Sequence, residues 1–384
     1  MKITGTFNKS EQYFVVTGEN VFVELDQFLN DFCIRPFRTF ILVDENTRHH
    51  CLPILLSHSI ILKNSEILEI PSGEKNKSIE SAVQLWNTLL TKHADRHSLL
   101  INLGGGVISD LGGFIASTFH RGIPYINIPT TLMAQVDAAI GGKTGLNFGN
   151  IKNQVGTFYS PKTVIIHTGF LKTLNKEHIA NGFAEVIKYA LIKDVILWKK
   201  LEKLHLNDHI VNLSSNDLSW EELVDQSIKI KYDIIQEDFH EENIRKLLNF
   251  GHTFGHALEA LSMKDFNPGL NHGHAVAMGI IFESYLSFKQ TGLANEDLNS
   301  IVSLILSNYE YFPIQDSSSG QLIEFMSHDK KNKDHNIYFT LLQRSGKAII
   351  DQRCDNELIQ DALKYYYQLR YQTEIHEDGY RKKG

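Results

Sequence analysis

Hydrophobic positions in the first half of the chain fall in short, mostly apolar runs. Thr39-Phe40-Ile41-Leu42-Val43, Leu99-Leu100-Ile101-Asn102-Leu103 and Tyr125-Ile126-Asn127-Ile128 are rich in β-favouring residues and lack the strict alternation of a half-exposed strand. Strands buried on both faces of a parallel sheet read this way. Ser59-Ile60-Ile61-Leu62 and Ile67-Leu68-Glu69-Ile70 read as further strand material. Between these runs the spacing turns helical: from Ser78 to Leu90, residues Val83, Leu85, Trp86, Leu89 and Leu90 lie on or near one stripe. Strands and helices alternate up to Leu174, and beyond it the pattern is helical. Ala184 to Leu197 has that spacing, and Ser219-Trp220-Glu221-Glu222 matches a capping box that opens a helix toward Gln236. Tyr338 to Leu342 reads as a late strand, and the charged end from Thr373 as frayed. The expected organisation is a nucleotide-type α/β domain over residues 1–174 and a helical domain over residues 175–384.

Composition narrows the function classes. The 384 residues carry a formal net charge of -7, which argues against a general nucleic-acid binder because that needs a basic face. Any anion site must be a local cluster of Lys and Arg. Cys33, Cys51 and Cys354 are few, scattered and odd in number, which fits a reducing compartment and not a disulfide framework. Met1-Lys2-Ile3-Thr4-Gly5 does not start a secretory leader, and no apolar run reaches the ~20 residues of a spanning helix, so a cytoplasmic protein without membrane attachment is expected.

Candidate chemistry gathers at three places. Leu103 runs directly into Gly104-Gly105-Gly106-Val107-Ile108-Ser109-Asp110, a strand, glycine turn and helix start that suits a phosphate. A tight turn without ligand fits the same residues equally well. Ser109 stands where the last glycine of a full dinucleotide fingerprint would be, and Asp110 could cap the helix or meet a cofactor hydroxyl. Asp44-Glu45-Asn46-Thr47 and Thr130-Thr131 end strands at the edge where open α/β sheets bind ligands. Gly141-Gly142-Lys143-Thr144-Gly145 and Lys152-Asn153 put lysines beside small residues, as an anionic ligand needs, without the spacing of a Walker loop. The third place is Asn249-Phe250-Gly251-His252-Thr253-Phe254-Gly255-His256, followed by Asn271-His272-Gly273-His274. His252 and His256 are one helical turn apart, which suits a shared metal, although a helix pair with core hydrogen bonds fits too. The His-Glu-x-x-His pattern of zinc peptidases is absent. A catalytic zinc takes three protein ligands, and Glu185 is the candidate carboxylate; its alternative is an ion pair with Lys188, three residues on. Lys229, Lys231, Arg245 and the basic loop Asp329-Lys330-Lys331-Asn332-Lys333 supply further anion contacts. The residues alone point to a zinc- and NAD-dependent enzyme acting on a phosphorylated polyol or sugar acid.

Taken together, Gly104-Gly105-Gly106-Val107, Arg121-Gly122, Pro129-Thr130-Thr131-Leu132, Gln135-Val136-Asp137, Gly141-Gly142-Lys143-Thr144-Gly145, Lys152-Asn153, Gly182-Phe183-Ala184-Glu185-Val186-Ile187-Lys188, the Asn249–His256 run and His272-Gly273 stand in the order and spacing of 3-dehydroquinate synthase. The chain resembles that family, within the sugar-phosphate cyclases, over roughly residues 40 to 345. The resemblance implies a Rossmann-like NAD-binding α/β domain, an all-α metal and substrate domain, and a homodimer. It implies Glu185, His252 and His272 as ligands of zinc, with cobalt as the alternative ion, and moves His256 from the metal to the substrate. By the same resemblance Asp44, Glu74, Lys77, Gly105, Gly106, Val107, Asp110, Thr130, Thr131, Asp137, Lys143 and Lys152 line the NAD site. Asp137, Lys143, Asn153, Lys188, Lys231, Arg245, Asn249, His256 and the loop with Lys330 and Lys331 surround a phosphorylated sugar acid, and Arg121 reaches its phosphate from the partner subunit. The implied reaction turns 3-deoxy-D-arabino-heptulosonate 7-phosphate into 3-dehydroquinate and phosphate by transient oxidation, phosphate elimination, reduction and aldol closure.

Four positions depart from the family pattern: Ser109 for a glycine, His167 for an aspartate near the adenosine, His274 for the glutamate of His-Gly-Glu, and Leu174-Asn175-Lys176-Glu177 for Leu-Pro-x-Arg. Cyclases of the same fold that take other sugar phosphates typically differ around Arg245 and Asn249, and this chain keeps the dehydroquinate-type pair. A metal-dependent polyol dehydrogenase, or a metal- or nucleotide-binding protein without catalysis, are the other readings.

Overall fold

The computed structural model describes residues 2–381 apart from 8–10, 19, 33–36, 150, 207–217, 266–268 and 328–335. The strands are β1 (Lys2–Phe7), β2 (Glu11–Thr17), β3 (Thr39–Asp44), β4 (Glu66–Ile70), β5 (Leu99–Gly104), β6 (Tyr125–Pro129), β7 (Lys143–Phe148), β8 (Ile151–Phe158), β9 (Thr163–Ile166), β10 (Tyr338–Arg344) and β11 (Lys347–Arg353). The helices are α1 (Val21–Phe32), α2 (Glu45–His50), α3 (Leu52–His58), α4 (Ile79–Thr91), α5 (Gly106–Thr118), α6 (Lys176–Lys193), α7 (Val195–Leu201), α8 (Trp220–Glu237), α9 (His252–Asp265), α10 (His272–Gln290), α11 (Asn295–Asn308), α12 (Ser319–Ser327) and α13 (Asn356–Arg381).

The chain divides into two compact units, Met1–Gly182 with Val211–His240, and Phe183–Ile210 with Glu241–Gly384. The single cut expected at Leu174 differs from this division in two ways. The first unit runs on to Gly182, within α6, and α8 returns to it after an excursion through the second. The reason lies in α8 itself, whose Lys231 bonds to Asp137 and whose Asp225 accepts from Thr17, both in the first unit.

The first unit is built on a seven-stranded sheet of order β1-β2-β9-β6-β5-β3-β4, parallel throughout except for β1 at its edge. The mostly apolar runs have the expected cause, since side chains alternate between two cores. Ile41, Val43, Leu99, Ile101 and Leu103 pack with Phe22, Leu25 and Leu29 of α1 and Leu52 and Leu55 of α3. Phe40, Leu42 and Leu100 pack on the other face with Leu85 and Leu89 of α4 and Leu111 and Ile115 of α5. Each fully buried Leu, Ile, Val or Phe contributes about 1.5–3 kcal/mol, so removing water from both faces is what fixes this sheet. Ser59 to Leu62 is not a strand: Ile61–Asn64 is a tight 3-10 turn between α3 and β4 that sinks Leu62 into the core.

The second unit is helical with one antiparallel ribbon, β10 on β11. The helix expected over 184–197 breaks at Asp194, whose carboxylate accepts from the N–H groups of Ile196 and Leu197 and starts α7. The end expected to fray from Thr373 continues as helix to Arg381. Among the described residues no helix is long and apolar enough to cross a membrane.

Candidate metal centre and dinucleotide cradle

In the second unit Glu185 on α6, His252 at the first position of α9 and His272 at the first position of α10 converge. Glu185 is fully buried, is ion-paired with Lys188, and turns Oε1 toward Nε2 of His252 at 3.4 Å and of His272 at 3.7 Å. The Lys188 ammonium contacts Oε2, while Oε1 accepts no hydrogen bond and faces the two imidazole nitrogens. Lys188 already compensates the charge at Oε2; the buried Oε1 is left for a second cation between it and the imidazoles. Three ligands at ~2.1 Å from a tetrahedral ion stand about 3.4 Å apart, close to the spacing of Oε1 from the imidazoles. These residues therefore fit a zinc-type ion, held by one carboxylate and two imidazoles.

The electrostatics agree. Burial opposes the charge on Glu185, but Lys188 and the two imidazoles outweigh it and hold the carboxyl well below its usual range. Burial and the neighbouring Lys188 charge push His252 down to about 4, so it is the neutral form that a metal needs. His272 is raised to about 10 because the carboxylates of Glu185 and Glu259 facing its two nitrogens overcome its burial, so metal must displace a proton there. The other ring nitrogens are anchored: His252 Nδ1 lies 3.1 Å from the Phe250 carbonyl and His272 Nδ1 3.3 Å from Glu259 Oε2. Such contacts orient metal-binding imidazoles. Glu259 was not singled out from the sequence; its signal is its place seven residues after His252, on the same face of α9.

His256, one turn beyond His252, is exposed and outside the trio, with its ring 5.3 Å from that of His252 and 5.9 Å from that of His272. Helical spacing alone pairs His252 with His256; the fold pairs His252 with His272 instead, because α10 starts beside α9. His274 points elsewhere, Nε2 lying 2.6 Å from the Glu310 carbonyl. Arg245 is among the most deeply buried large side chains. Asn249 donates to Glu241 at 2.9 Å. Lys330 and Lys331 lie outside the described residues.

In the first unit β5 ends at Gly104 and α5 starts at Gly106, with Gly105 as an N-cap that offers no side-chain acceptor to the first turn. Thr131 and Ala138 close in on this turn: a Cβ on Gly105 would stand 3.0 Å from Thr131 Cγ2, and one on Gly106 3.3 Å from Ala138 Cβ. The turn is thus kept bare backbone, as approach of a pyrophosphate to a helix N-terminus requires. Ser109 is buried in the core, and Val107 packs against the α4–α5 core. Thr130 donates its N–H to the Gly104 carbonyl, tying β6 to β5, and Thr131 Oγ1 accepts from Ala134.

Around the cradle the fold gathers Lys77, which is buried and bonds to Asp110 Oδ2 at 2.6 Å and to Asn153. Burial raises the Asp110 pKa despite the Lys77 charge. Glu74 accepts from Asn147 on β7, and Asn147 accepts from the Asn153 N–H, so residues 74–77 and the β7–β8 pair form one network. Lys143 is exposed at the start of β7, and Lys152 is half-buried on β8. Lys231 is buried and bonds to Asp137 Oδ1 at 2.7 Å. Asp44 is engaged as the N-cap of α2, accepting from Thr47. Arg121 is exposed, with a positive φ of 66°. His167 follows β9 with its ring 5.0 Å from Phe22 and 5.1 Å from Phe170, and burial lowers its pKa.

A doubly wound nucleotide-type unit and a helical unit in one chain make a fold shared by solved sugar-phosphate cyclases and by glycerol and iron-containing alcohol dehydrogenases. The 2-epi-5-epi-valiolone synthase of Streptomyces hygroscopicus subsp. jinggangensis, solved with NAD+ and Zn2+ bound, superposes with a TM-score of 0.80 at 25% identity, covering 96% of this chain and 99% of that one. A 2-deoxy-scyllo-inosose synthase, solved with carbaglucose-6-phosphate, NAD+ and Co2+, shares the fold with a TM-score of 0.78 at 22% identity, covering 95% and 99%. The chain belongs to the 3-dehydroquinate synthase family: the model of its N-terminal part matches residues 67–181 and that of its C-terminal part residues 182–332. A 3-dehydroquinate synthase of Parabacteroides distasonis is 43% identical over 353 residues, 92% of this chain and 97% of that protein.

Proposed function

We propose that this protein converts 3-deoxy-D-arabino-heptulosonate 7-phosphate into 3-dehydroquinate and phosphate, as a phosphate-eliminating cyclase of the shikimate pathway. The observation that carries the reading is the buried carboxylate of Glu185, paired with Lys188 at Oε2 and turning Oε1, which accepts no hydrogen bond, toward Nε2 of His252 and His272. Family membership across both parts of the chain supports it. Zinc or cobalt at this trio would acidify a substrate hydroxyl, and NAD at the glycine turn would accept and return one hydride.

The chain's own residues do the rest. Bare amides at Gly105 and Gly106 receive the cofactor pyrophosphate, with Glu74, Lys77, Asp110, Thr130, Thr131 and Lys152 around it and Asp44 at its far end. Lys188 and Arg245 hold the substrate's anionic groups, Asn249 and Asn153 donate amide hydrogen bonds to its hydroxyls, and His256 contacts it beside the metal. Lys143 neutralises the departing phosphate. Lys231 pairs with Asp137, and this carboxylate accepts from a hydroxyl. A homodimer is part of the reading, with Arg121 meeting the substrate phosphate bound by the partner.

The test supplies the heptulosonate phosphate with zinc and a trace of NAD. Phosphate release over many turnovers without net NADH supports the proposal. Accumulating NADH identifies a polyol dehydrogenase, and inertness a cyclase for another sugar phosphate or a protein that only binds.

A further inference from the structure

Glu283 lies in the middle of α10, is fully buried, and has no role in the reaction proposed above. Its carboxylate accepts three backbone N–H groups from the start of α9: Gly251 at 2.7 Å on Oε2, and Thr253 at 3.0 Å and Phe254 at 3.2 Å on Oε1. These three amides bracket His252. A helix normally finds acceptors for its first N–H groups in a Ser, Thr, Asp or Asn just before it. Here the preceding residues are Phe250 and Gly251, so no side chain of that kind stands there. The acceptor comes from another helix, and its negative charge suits the positive end of α9. Gly279, one turn before Glu283, makes the approach feasible: a Cβ there would overlap the Gly251 carbonyl oxygen and stand 2.7 Å from the Gly255 nitrogen.

We infer that Glu283 is a positioning residue for the metal: by clamping residues 251–254 onto α10 it fixes His252, whose Nδ1 is set against the Phe250 carbonyl, so that Nε2 meets the ion beside Glu185. Outer contacts of this type typically change metal affinity roughly 10–100-fold when removed. Gln keeps the shape of Glu283 but turns an NH2 toward N–H groups, leaving buried donors opposed.

The inference rests on the metal reading above, and the test separates the two. Full-length wild-type and Glu283→Gln proteins are titrated with zinc against a chromogenic chelator, and NAD binding is measured on both as the control. The expected result is zinc affinity lowered at least tenfold in Glu283→Gln with NAD affinity unchanged. A folded Glu283→Gln variant that binds zinc as wild type does, even with a lower melting temperature, makes the residue merely structural and overturns the inference. Wild-type protein that takes up no zinc removes the metal reading, and this inference with it. Should the variant not fold, amide hydrogen exchange on metal-free wild type decides: slow exchange at Gly251, Thr253 and Phe254 is expected, and fast exchange at all three overturns the clamp.

Discussion

Replacing Lys188 with Met isolates the charge balance of the metal centre. Lys188 and Glu185 are an ion pair with side chains at most 2% exposed. Met keeps most of the lysine stem and removes the ammonium. Breaking a buried pair by deleting one partner costs roughly 3–5 kcal/mol, because the remaining charge is left uncompensated. That cost belongs to the metal-free protein. With zinc bound, the ion neutralises Glu185, and in the wild type Lys188 and zinc then repel across one carboxylate. The variant should therefore bind zinc at least as tightly as wild type. Zinc at 100 times its Kd adds about 2.7 kcal/mol to either protein, and more to the variant if its Kd is lower. Urea denaturation with a chelator, and again with excess zinc, measures both losses. The expected pattern is a large deficit without metal that shrinks with it. Equal deficits in the two states would refute the idea that lysine and metal compete for Glu185. Activity is not the readout, since Lys188 is also assigned to the substrate.

Three further outcomes follow from the geometry. His252→Ala should lose bound zinc and turnover together, and full zinc content by elemental analysis would remove His252 from the ligand set. Lys143→Ala should cut turnover roughly ten- to hundredfold, the worth of one charge-assisted bond, with an unchanged circular dichroism spectrum; near-normal kinetics would contradict its role. Burial raises the Cys51 thiol to about 11 and, helped by Glu283, the Cys354 thiol to about 12. Both stay protonated when folded, so their contribution to stability is intact below the ordinary thiol pKa and is lost as pH climbs from about 9 through those values. Alkylation mapped by mass spectrometry at pH 8 should spare both until denaturant is added; rapid labelling of either would contradict their burial.

Much of the first unit was legible because burial on both faces leaves an unmistakable mark: β3, β5 and β6 are largely apolar runs without alternation, and Gly104 to Gly106 punctuates the β5–α5 turn. Ser59 to Leu62 carried the same mark without being a strand, since one buried leucine in a tight turn looks the same over four residues. The β7–β8 pair was hidden because its glycines and lysines read as loop, and because Phe148 and Phe158 on it are exposed. In the second unit the limit was different. Helical spacing reports only neighbours along one helix, so His252 and His256 stood out as a pair. Nothing local says that α6 and α10 bring Glu185 and His272 to the same point; that set came from the resemblance. Glu259 shows only as a carboxylate two turns after His252 and Glu283 only as a carboxylate in an apolar helix, and the packing of α9 on α10 gives them partners.

Glu185, His252 and His272 are proposed to hold one ion. Crystals of the zinc-loaded protein, measured above and below the zinc absorption edge, test it most directly. A single strong anomalous peak is expected within about 2.0–2.2 Å of a Glu185 oxygen and of Nε2 of both histidines. A peak held by other residues, or none at the trio in a protein that turns over substrate, would contradict it.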